Sequence, residues 1–192
     1  YKRQFISKPN FSFIIADYSQ IELRVLAHLS QDSTMIEILK NKKSDIHSET
    51  ASRIFNVPIG DVTSDMRRKA KEVNFGLIYG MEAFGLSKSL DIEQKEASQL
   101  IESYFSQFPE IKGFLDNIVL KATKDSFTET LIGRKRYIRE LNSSNFQVKA
   151  AGKRIAMNAP IQGTAADIMK IAMIKVLHLS LIHISEPTRH GL

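Results

Sequence analysis

The sequence has 192 residues, a net charge of +6 and an isoelectric point of about 9.5. It contains no cysteine, which excludes disulfides and thiolate metal sites. With 43% apolar residues it can form one well-packed core or two lobes that share an interface. The positive charge suits a polyanionic partner, although it also favours solubility. Lys170, Lys175 and His178 interrupt the longest apolar stretch, which argues against a membrane span.

The first predicted unit is a strand followed by a helix. Residues 11–16, FSFIIA, are β-branched and aromatic and predict a buried strand that ends at Asp17. Apolar residues at helical spacing predict a helix over 21–29. Ser19 and Glu22 form the S-x-x-E pattern of a capping box at the start of that helix.

An all-helical stretch is predicted over about 33–125. Residues 32–58 are predicted to be helical, with a polar break at 41–45. A long basic helix follows, which begins after Thr63 or Ser64 and ends within 80–85. Two further helices are predicted over 86–108 and 111–124. The stretch separates two portions of a strand-containing lobe.

The last third of the chain returns to that lobe. Residues 127–138 predict a hairpin around Gly133 and Arg134. A helix is predicted over 146–156, then a break over 158–163, then a very apolar and buried helix over 164–176. Residues 177–192 show no continuing helical period and resemble translated sequencing-adapter sequence, so we expect the native sequence to stop near Val176. The first residue is Tyr and not Met, so we also expect a natural N-terminus further upstream.

The long basic helix carries a chemically mixed face. Arg67, Lys71, Phe75 and Tyr79 are spaced by four, so they fall within an arc of about 120° on one side of the helix. Cations bind a triphosphate, a flat ring packs on a base, and a second aromatic ring shapes a wall beside a sugar. Periodicity alone favours the simpler interpretation, an amphipathic helix with a solvated basic face.

Two glycines in this segment favour a functional interpretation. Gly76 and Gly80 stand where a helix prefers alanine, which predicts that a bulky group contacts the backbone there.

Other polar residues have ordinary explanations when taken alone. Asp17 at a strand end is a good ligand for a hard cation, but it is also a common turn residue. Asp45, His47 and Glu49 alternate as metal ligands do, yet on a helix they diverge, so we predict no metal site there. His47 by itself predicts a surface or boundary histidine.

Taken together, the motifs resemble one family. They are DYSQIELR at 17–24, DIH at 45–47, RRKAKEVNFGLIYG at 67–80, FGL at 84–86, LIGRKRYI at 131–138, SSN at 143–145 and NAPIQGTAADI at 158–168. In this order they resemble the family A DNA polymerases over residues 1–176, and such a long ordered match is highly specific.

The resemblance implies an α+β fold, with a helical fingers subdomain inserted into the partial antiparallel-sheet palm of a right-hand polymerase. The implied divisions are a first palm segment at 1–32, fingers at 33–125, a second palm segment at 126–176 and a non-native tail at 177–192. The implied setting is the bacterial cytoplasm, with no membrane, and the complete protein is expected to be a monomer.

The implied function is template-directed DNA synthesis, in which deoxynucleotides are added to a primer 3′-hydroxyl with release of pyrophosphate. Two Mg²⁺ ions would be bound by palm carboxylates, here Asp17 with the carbonyl of Tyr18. Glu22 would exclude a 2′-hydroxyl. The implied partners are primer-template DNA and deoxynucleoside triphosphates.

The resemblance assigns the remaining binding roles by position. Arg67 and Lys71 would hold the triphosphate, with Gln20 and His47 near it. Phe75 would pack on the incoming nucleotide, and Tyr79 would lie at the templating position, close to Glu22. The residues that would contact DNA are Arg154, Asn158 and Gln162. Phenylalanine at position 75 further implies rejection of 2′,3′-dideoxynucleotides.

The sequence departs from the family pattern near its end. The family carries a second catalytic aspartate in a His-Asp-Glu turn, and no such turn follows the QGTAAD motif here; His183 and Glu186 have no aspartate between them. We therefore expect an incomplete metal site and no useful primer extension by this chain. We also expect an unfinished palm sheet and poor solubility.

Two other functions are compatible with portions of the pattern. A non-catalytic nucleic-acid-binding module would explain the basic helix, but it has no use for Asp17 and Glu22 together. A single-subunit RNA polymerase shares a motif like that at 67–80, but Glu22 disfavours a ribonucleotide substrate.

Overall fold

The computed structural model describes residues 9–10, 12, 15–41 and 44–184, with side chains as far as residue 179. Its elements are α1 Ile21–Ser30, α2 Ser33–Lys40, α3 Ile46–Ile54, α4 Ser64–Ile78, α5 Ala83–Leu90, α6 Gln94–Gln107, α7 Pro109–Asp125, β1 Phe127–Glu129, β2 Lys135–Tyr137 and α8 Phe146–Ile184, with short 3-10 helices at Ile59–Asp61 and Arg139–Asn142. The fold is mostly helical, as predicted.

Side-chain caps set the starts of three helices. Asp32 accepts a hydrogen bond from the Met35 amide at 2.8 Å and starts α2. Asp45 caps α3 in the same way, and Thr63 accepts from the Met66 amide at 3.2 Å and starts α4. The predicted polar break at 41–45 is confirmed, and Thr63 is the cap of the two candidates.

One core joins most of the helices. It combines α1 residues such as Leu23 and Leu26 with Tyr104 and Phe108 of the α6–α7 junction, and it also takes in Ile161 of α8. Tyr104 and Phe108 lie with their ring centroids 4.9 Å apart at the centre. The division at residue 32 between palm and fingers stays a prediction, although α1 shares this core with the later helices.

The hairpin is confirmed. Strands β1 and β2 are antiparallel, with Phe127 opposite Tyr137, and Gly133 adopts a φ of 83°, which suits glycine in the turn. Arg134 fastens the hairpin to α8: its Nε lies 2.8 Å from Oδ1 of the buried Asp167.

The predicted break at 158–163 is wrong, because α8 runs through it without interruption. Pro160 lies inside the helix, although proline removes a backbone donor. Packing overrides this local preference, since Ala159, Pro160 and Ile161 are all buried. Gly163 is needed for a close approach: a Cβ there would lie 2.6 Å from the Thr130 side chain.

The later portion of α8 differs from the prediction of a buried helix. Its apolar side chains are exposed, namely Met169, Ile171, Met173, Ile174, Val176, Leu177 and Leu179. At about 100° per residue these side chains lie on all sides of the helix, and among the described residues the core reaches only as far as Ile168. The helix continues to Ile184, so the predicted loss of helical period after residue 176 is also wrong. Within the described ranges no helix has the length and apolarity required to cross a membrane.

The predicted strand over 11–16 is not seen where it can be assessed. Residues 11, 13 and 14 lie outside the described residues. Ile15 and Ala16 form no strand, and Ile15 is 89% exposed. The described sheet consists of β1 and β2 alone, so Ile15 has no pairing strand among the described residues.

The predicted capping box at the start of α1 is wrong as well. The N-cap is Gln20, in a left-handed conformation with a φ of 55° and without a side-chain cap. The Ser19 carbonyl instead accepts a hydrogen bond from Arg24, and the Glu22 carboxylate accepts one from Tyr79.

Candidate nucleotide-binding site

Helix α4 separates a buried face from an exposed one. Its buried side chains, among them Val73 and Ile78, enter the core. Arg67 and Lys71 are exposed, Phe75 is half-buried, and Tyr79, the residue after the last helical turn, is 37% exposed. The four-residue spacing therefore places the mixed face toward solvent, where a ligand can reach it.

Arg67 is held by Asp45 at one end of this face. The Arg67 Nε lies 2.8 Å from Asp45 Oδ2, and Nη2 lies 3.3 Å from Oδ1, so the pair is bidentate. Burial raises the pKa of Asp45, but the hydrogen bonds from Arg67 and Ser48 outweigh it and lower the pKa to about 2. The guanidinium is thus oriented while about half of it remains exposed.

His47 lies beneath the middle of the face and is 5% exposed. Its ring centroid lies 5.7 Å from that of Phe75, and its Nδ1 lies 3.2 Å from Asn74 Nδ2. Burial lowers the pKa of His47. The charge of Asp45 raises this pKa, whereas the charges of Arg67 and Lys71 lower it further. The expectation of a surface or boundary histidine is wrong, because α3 packs along α4 and covers the ring.

Tyr79 connects α4 to two other helices. Its hydroxyl donates a hydrogen bond to Glu22 Oε2 of α1 at 2.9 Å, and the side chain of Gln162 on α8 is close enough to influence its pKa. Burial and the hydrogen bond to Glu22 raise the pKa of Tyr79, against the opposing effect of Gln162. The phenol therefore stays protonated and donates to the carboxylate.

The two glycines of α4 meet bulky neighbours, as predicted. A Cβ on Gly76 would lie 3.2 Å from the sulfur of Met81. Gly80 has a φ of 68°, and a Cβ there would lie 2.9 Å from Arg154 Cγ and 3.2 Å from Arg154 Cα. Gly80 thus lets α8 approach the end of α4 and brings Arg154 close to it.

The remaining DNA-contact candidates lie on α8. Arg154 and Gln162 are exposed. Asn158 is half-buried, and its Oδ1 is buried without a hydrogen-bond partner. Buried amide oxygens are normally hydrogen-bonded, so this oxygen is an exception.

The residues expected to bind metal lie just before α1 in the chain. Asp17 and Tyr18 are exposed in a stretch without regular structure and line a groove with Met173 and Val176 of α8. Gln20 follows them at the start of α1. Within the described portion of the chain, no group of three or more His, Asp or Glu side chains is arranged to hold a metal ion. One carboxylate and one carbonyl are too few donors for a two-Mg²⁺ site.

Sequence reasoning missed three residues of this site. Asp45 belongs to the DIH motif and Asn74 to the motif at 67–80, but the sequence assigns neither of them a role in this site, and Thr50 belongs to no motif. Two sequence features indicate such roles. Asp45 stands at a helix start, and Asn74 stands at a core-facing position of α4, where a buried amide needs polar partners.

The comparisons with known proteins agree with the motifs. The model of DNA polymerase family A matches residues 1–182.

The chain belongs to DNA polymerase family A.

Among curated relatives, DNA polymerase I of Caldicellulosiruptor bescii is 50% identical over 175 residues, which is 91% of this chain and 20% of that protein. DNA polymerase I of Geobacillus stearothermophilus is 50% identical over 168 residues, 88% of this chain and 19% of that protein. The chain therefore spans about a fifth of the length of these polymerases.

A solved structure of a family A polymerase has a similar fold. The POL domain of Pol1 from M. smegmatis, in complex with DNA primer-template and dNTP, matches with a TM-score of 0.82 and 47% identity. The match covers 89% of this chain and 30% of that one. The mostly helical α+β architecture expected from the sequence is thereby confirmed.

Proposed function

We propose that this family A polymerase chain forms the fingers and a portion of the palm of an enzyme for template-directed DNA synthesis. In this reaction the primer 3′-hydroxyl attacks the α-phosphate of a deoxynucleoside triphosphate, and pyrophosphate leaves. The substrates are a primer-template duplex and the four deoxynucleoside triphosphates.

The observation that carries the proposal is the hydrogen bond between Tyr79 and Glu22. It fixes a carboxylate of α1 at the aromatic end of the α4 face. A sugar that packs on Phe75 would meet this carboxylate, and a 2′-hydroxyl would compete for the space and for the bond to Tyr79. The pair thus favours a deoxyribonucleotide over a ribonucleotide.

The other end of the α4 face supports triphosphate binding. Arg67 is already oriented by Asp45 and retains exposed N–H donors, and Lys71 adds a second cation one turn along. Phosphoryl transfer depends mainly on positioning and on neutralising charge, which these side chains supply.

The metal ions of the reaction need more than the described residues provide. Asp17 and the carbonyl of Tyr18 would hold Mg²⁺ in a complete site, where the ions activate the attacking oxygen and stabilise the leaving group. Among the described residues no group of three or more His, Asp or Glu side chains is arranged to complete such a site. We propose that the 192-residue chain binds nucleotide without extending a primer at a useful rate.

Nucleotide selection can be tested by binding alone. We expect the chain to bind dATP more tightly than ATP, and Glu22→Ala to reduce that preference about tenfold, as for the loss of one well-placed interaction. Fluorescence titration with labelled nucleotides measures both affinities. Glu37→Ala, which removes an exposed carboxylate on α2, is the matched control and should not change the preference. Equal affinities of the unaltered chain for ATP and dATP would contradict the proposal, and tighter binding of ATP would favour a ribonucleotide enzyme.

Catalysis is tested by primer extension with Mg²⁺ and all four deoxynucleotides. We expect no extension by the chain itself; normal turnover would refute the assignment of an incomplete metal site. In a full-length polymerase that contains this chain, Asp17→Ala should abolish synthesis and leave DNA binding largely intact.

A further inference from the structure

A buried polar cluster lies between α3 and α4, directly under the α4 face. It consists of His47, Thr50 and Asn74, of which Thr50 and Asn74 are fully buried. Buried polar groups are costly unless they are paired. Here they pair with one another: Asn74 Nδ2 lies 3.1 Å from Thr50 Oγ1 and 3.2 Å from His47 Nδ1.

The orientation of the Asn74 amide favours one protonation state of the ring. With the amide nitrogen facing the ring, Asn74 donates and His47 Nδ1 accepts. A nitrogen that accepts carries no proton, which excludes the imidazolium form and the Nδ1–H tautomer. The ring is therefore neutral with its proton on Nε2.

The surroundings of the ring favour the same form. The charges that act on it are Asp45 at the start of α3 and Arg67 and Lys71 on α4. Asp45 is itself engaged by Arg67, so the two nearby cations and the burial of the ring disfavour a further positive charge. Phe75 packs at an angle of 47° to the ring and restricts its rotation.

We propose that Asn74 is a positioning residue that holds His47 as the neutral Nε2–H tautomer, so that Nε2–H donates a hydrogen bond to a phosphate oxygen of the nucleotide held by Arg67 and Lys71. In an imidazole ring the hydrogen bonds of Nδ1 and Nε2 point in widely divergent directions, so with Nδ1 turned toward Asn74 the Nε2–H points away from it. The inference rests on the proposed nucleotide-binding function, because a triphosphate is the acceptor that it assigns.

The tautomer can be measured directly on the full chain by long-range ¹H–¹⁵N NMR, with His47→Gln to assign the signal. We expect Nε2–H in the unaltered protein. In Asn74→Asp a carboxylate, which only accepts, replaces the donor at the same position. The ring should then carry a proton on Nδ1, and its pKa should rise above the ordinary value of about 6.5.

Asn117→Asp is the matched control. It introduces the same charge on the exposed face of α7 and should leave the His47 signals unchanged. An Nδ1–H tautomer in the unaltered protein, or the same tautomer in Asn74→Asp, would overturn the proposal. The measurement on the unaltered protein decides the tautomer even if a variant at this buried position fails to fold.

The role in binding is tested by comparing dATP with deoxyadenosine. Asn74→Leu removes the donor, so we expect a roughly three- to tenfold weaker affinity for dATP, about the effect of one hydrogen bond. The affinity for deoxyadenosine, which has no phosphate, should not change. An unchanged affinity for dATP, or an equal loss for both ligands, would overturn the proposal. Failure of the proposed function is seen separately, as the absence of a dATP preference over ATP in the unaltered chain.

Discussion

Asp45 illustrates how one side chain can serve both the fold and the site. It caps α3 through the Ser48 amide and orients Arg67 through two contacts. A triphosphate can bind the N–H donors of Arg67 that Asp45 leaves unused. The negative charge of Asp45 limits the affinity for this anion, but the guanidinium is ordered before the ligand arrives.

Asp45→Asn separates the two roles, because asparagine is also a good N-cap. The pKa of Asp45 is depressed to about 2 in the folded chain, so the ion pair stabilises the fold above the unfolded pKa of about 3.9 and is lost as the pH falls toward 2. We expect the variant to lower the free energy of unfolding by less than ~1 kcal/mol at pH 7, since the pair is half exposed. The difference should shrink toward zero at pH 2.

Urea denaturation at the two pH values measures this difference. Asp116→Asn, at an exposed position of α7, is the control and should show no comparable change. A difference of the same size at pH 7 and pH 2 would mean that the ion pair is not its source.

Phe75 gives a prediction about nucleotide choice. In a full-length polymerase that contains this chain, Phe75→Tyr adds a hydroxyl at the edge of the ring that we place against the sugar. The family resemblance implies that this change relaxes discrimination against 2′,3′-dideoxynucleotides. Competition between ddTTP and dTTP in primer extension measures the ratio, and unchanged selectivity would show that Phe75 does not face the sugar.

Local spacing predicts only a portion of this site. The line from Arg67 to Tyr79 follows from the pitch of a single helix. The contact between His47 and Asn74 joins residues on two helices, and no local periodicity encodes how α3 packs on α4. The pairing of Tyr79 with Glu22 was expected from the family resemblance and not from spacing.

At the scale of elements, the approach of α8 to the end of α4 depends on Gly80. Gly80→Ala should destabilise the fold by about 2 kcal/mol or more, since alanine is strained at positive φ and its Cβ would contact the Arg154 backbone. Thermal or urea denaturation measures the loss.

Gly60→Ala is the control for that experiment. Gly60 has open space around it and no positive φ, so the same added methyl group should have little effect. Equal stability of the two variants would show that α8 does not depend on the glycine.

The helices were predictable where capping residues define their ends. Asp32, Asp45 and Thr63 are caps that a reader of the sequence can find, and the hairpin turn at Gly133 is equally local. The predictions failed where packing decides: Pro160 predicted a break that the buried surroundings of α8 override. The prediction of a buried strand over 11–16 is wrong at Ile15 for a similar reason. A strand needs a partner strand, and local sequence does not determine whether one is present.

At the scale of the whole molecule, the exposed apolar segment of α8, residues 169–179, is the largest departure from an ordinary surface. Its members are Met169, Ile171, Met173, Ile174, Val176, Leu177 and Leu179. Contiguous apolar surface of this kind promotes association. We therefore expect the isolated chain to self-associate.

Charged substitutions in this segment of α8 should shift the chain toward a monomer. Ile174→Lys with Leu177→Glu keeps the net charge and removes two exposed apolar side chains. Light scattering after size exclusion gives the mass, which is 21.8 kDa for one chain. Leu120→Lys, at an exposed apolar position on α7, is the control and should not dissolve the oligomers. A monodisperse monomer of the unaltered chain would contradict the expectation.

The shared core also has a consequence for folding during synthesis. Helix α1 packs against α7 and α8, and Leu23 shares its core with Ile161, about 140 residues later. At ~5–20 residues per second, the ribosome takes about 7–30 s to supply that partner. During this interval the apolar side of α1 lacks its final neighbours, and long-range contacts of this kind slow folding. We therefore expect the nascent chain to depend on chaperones until α8 has emerged.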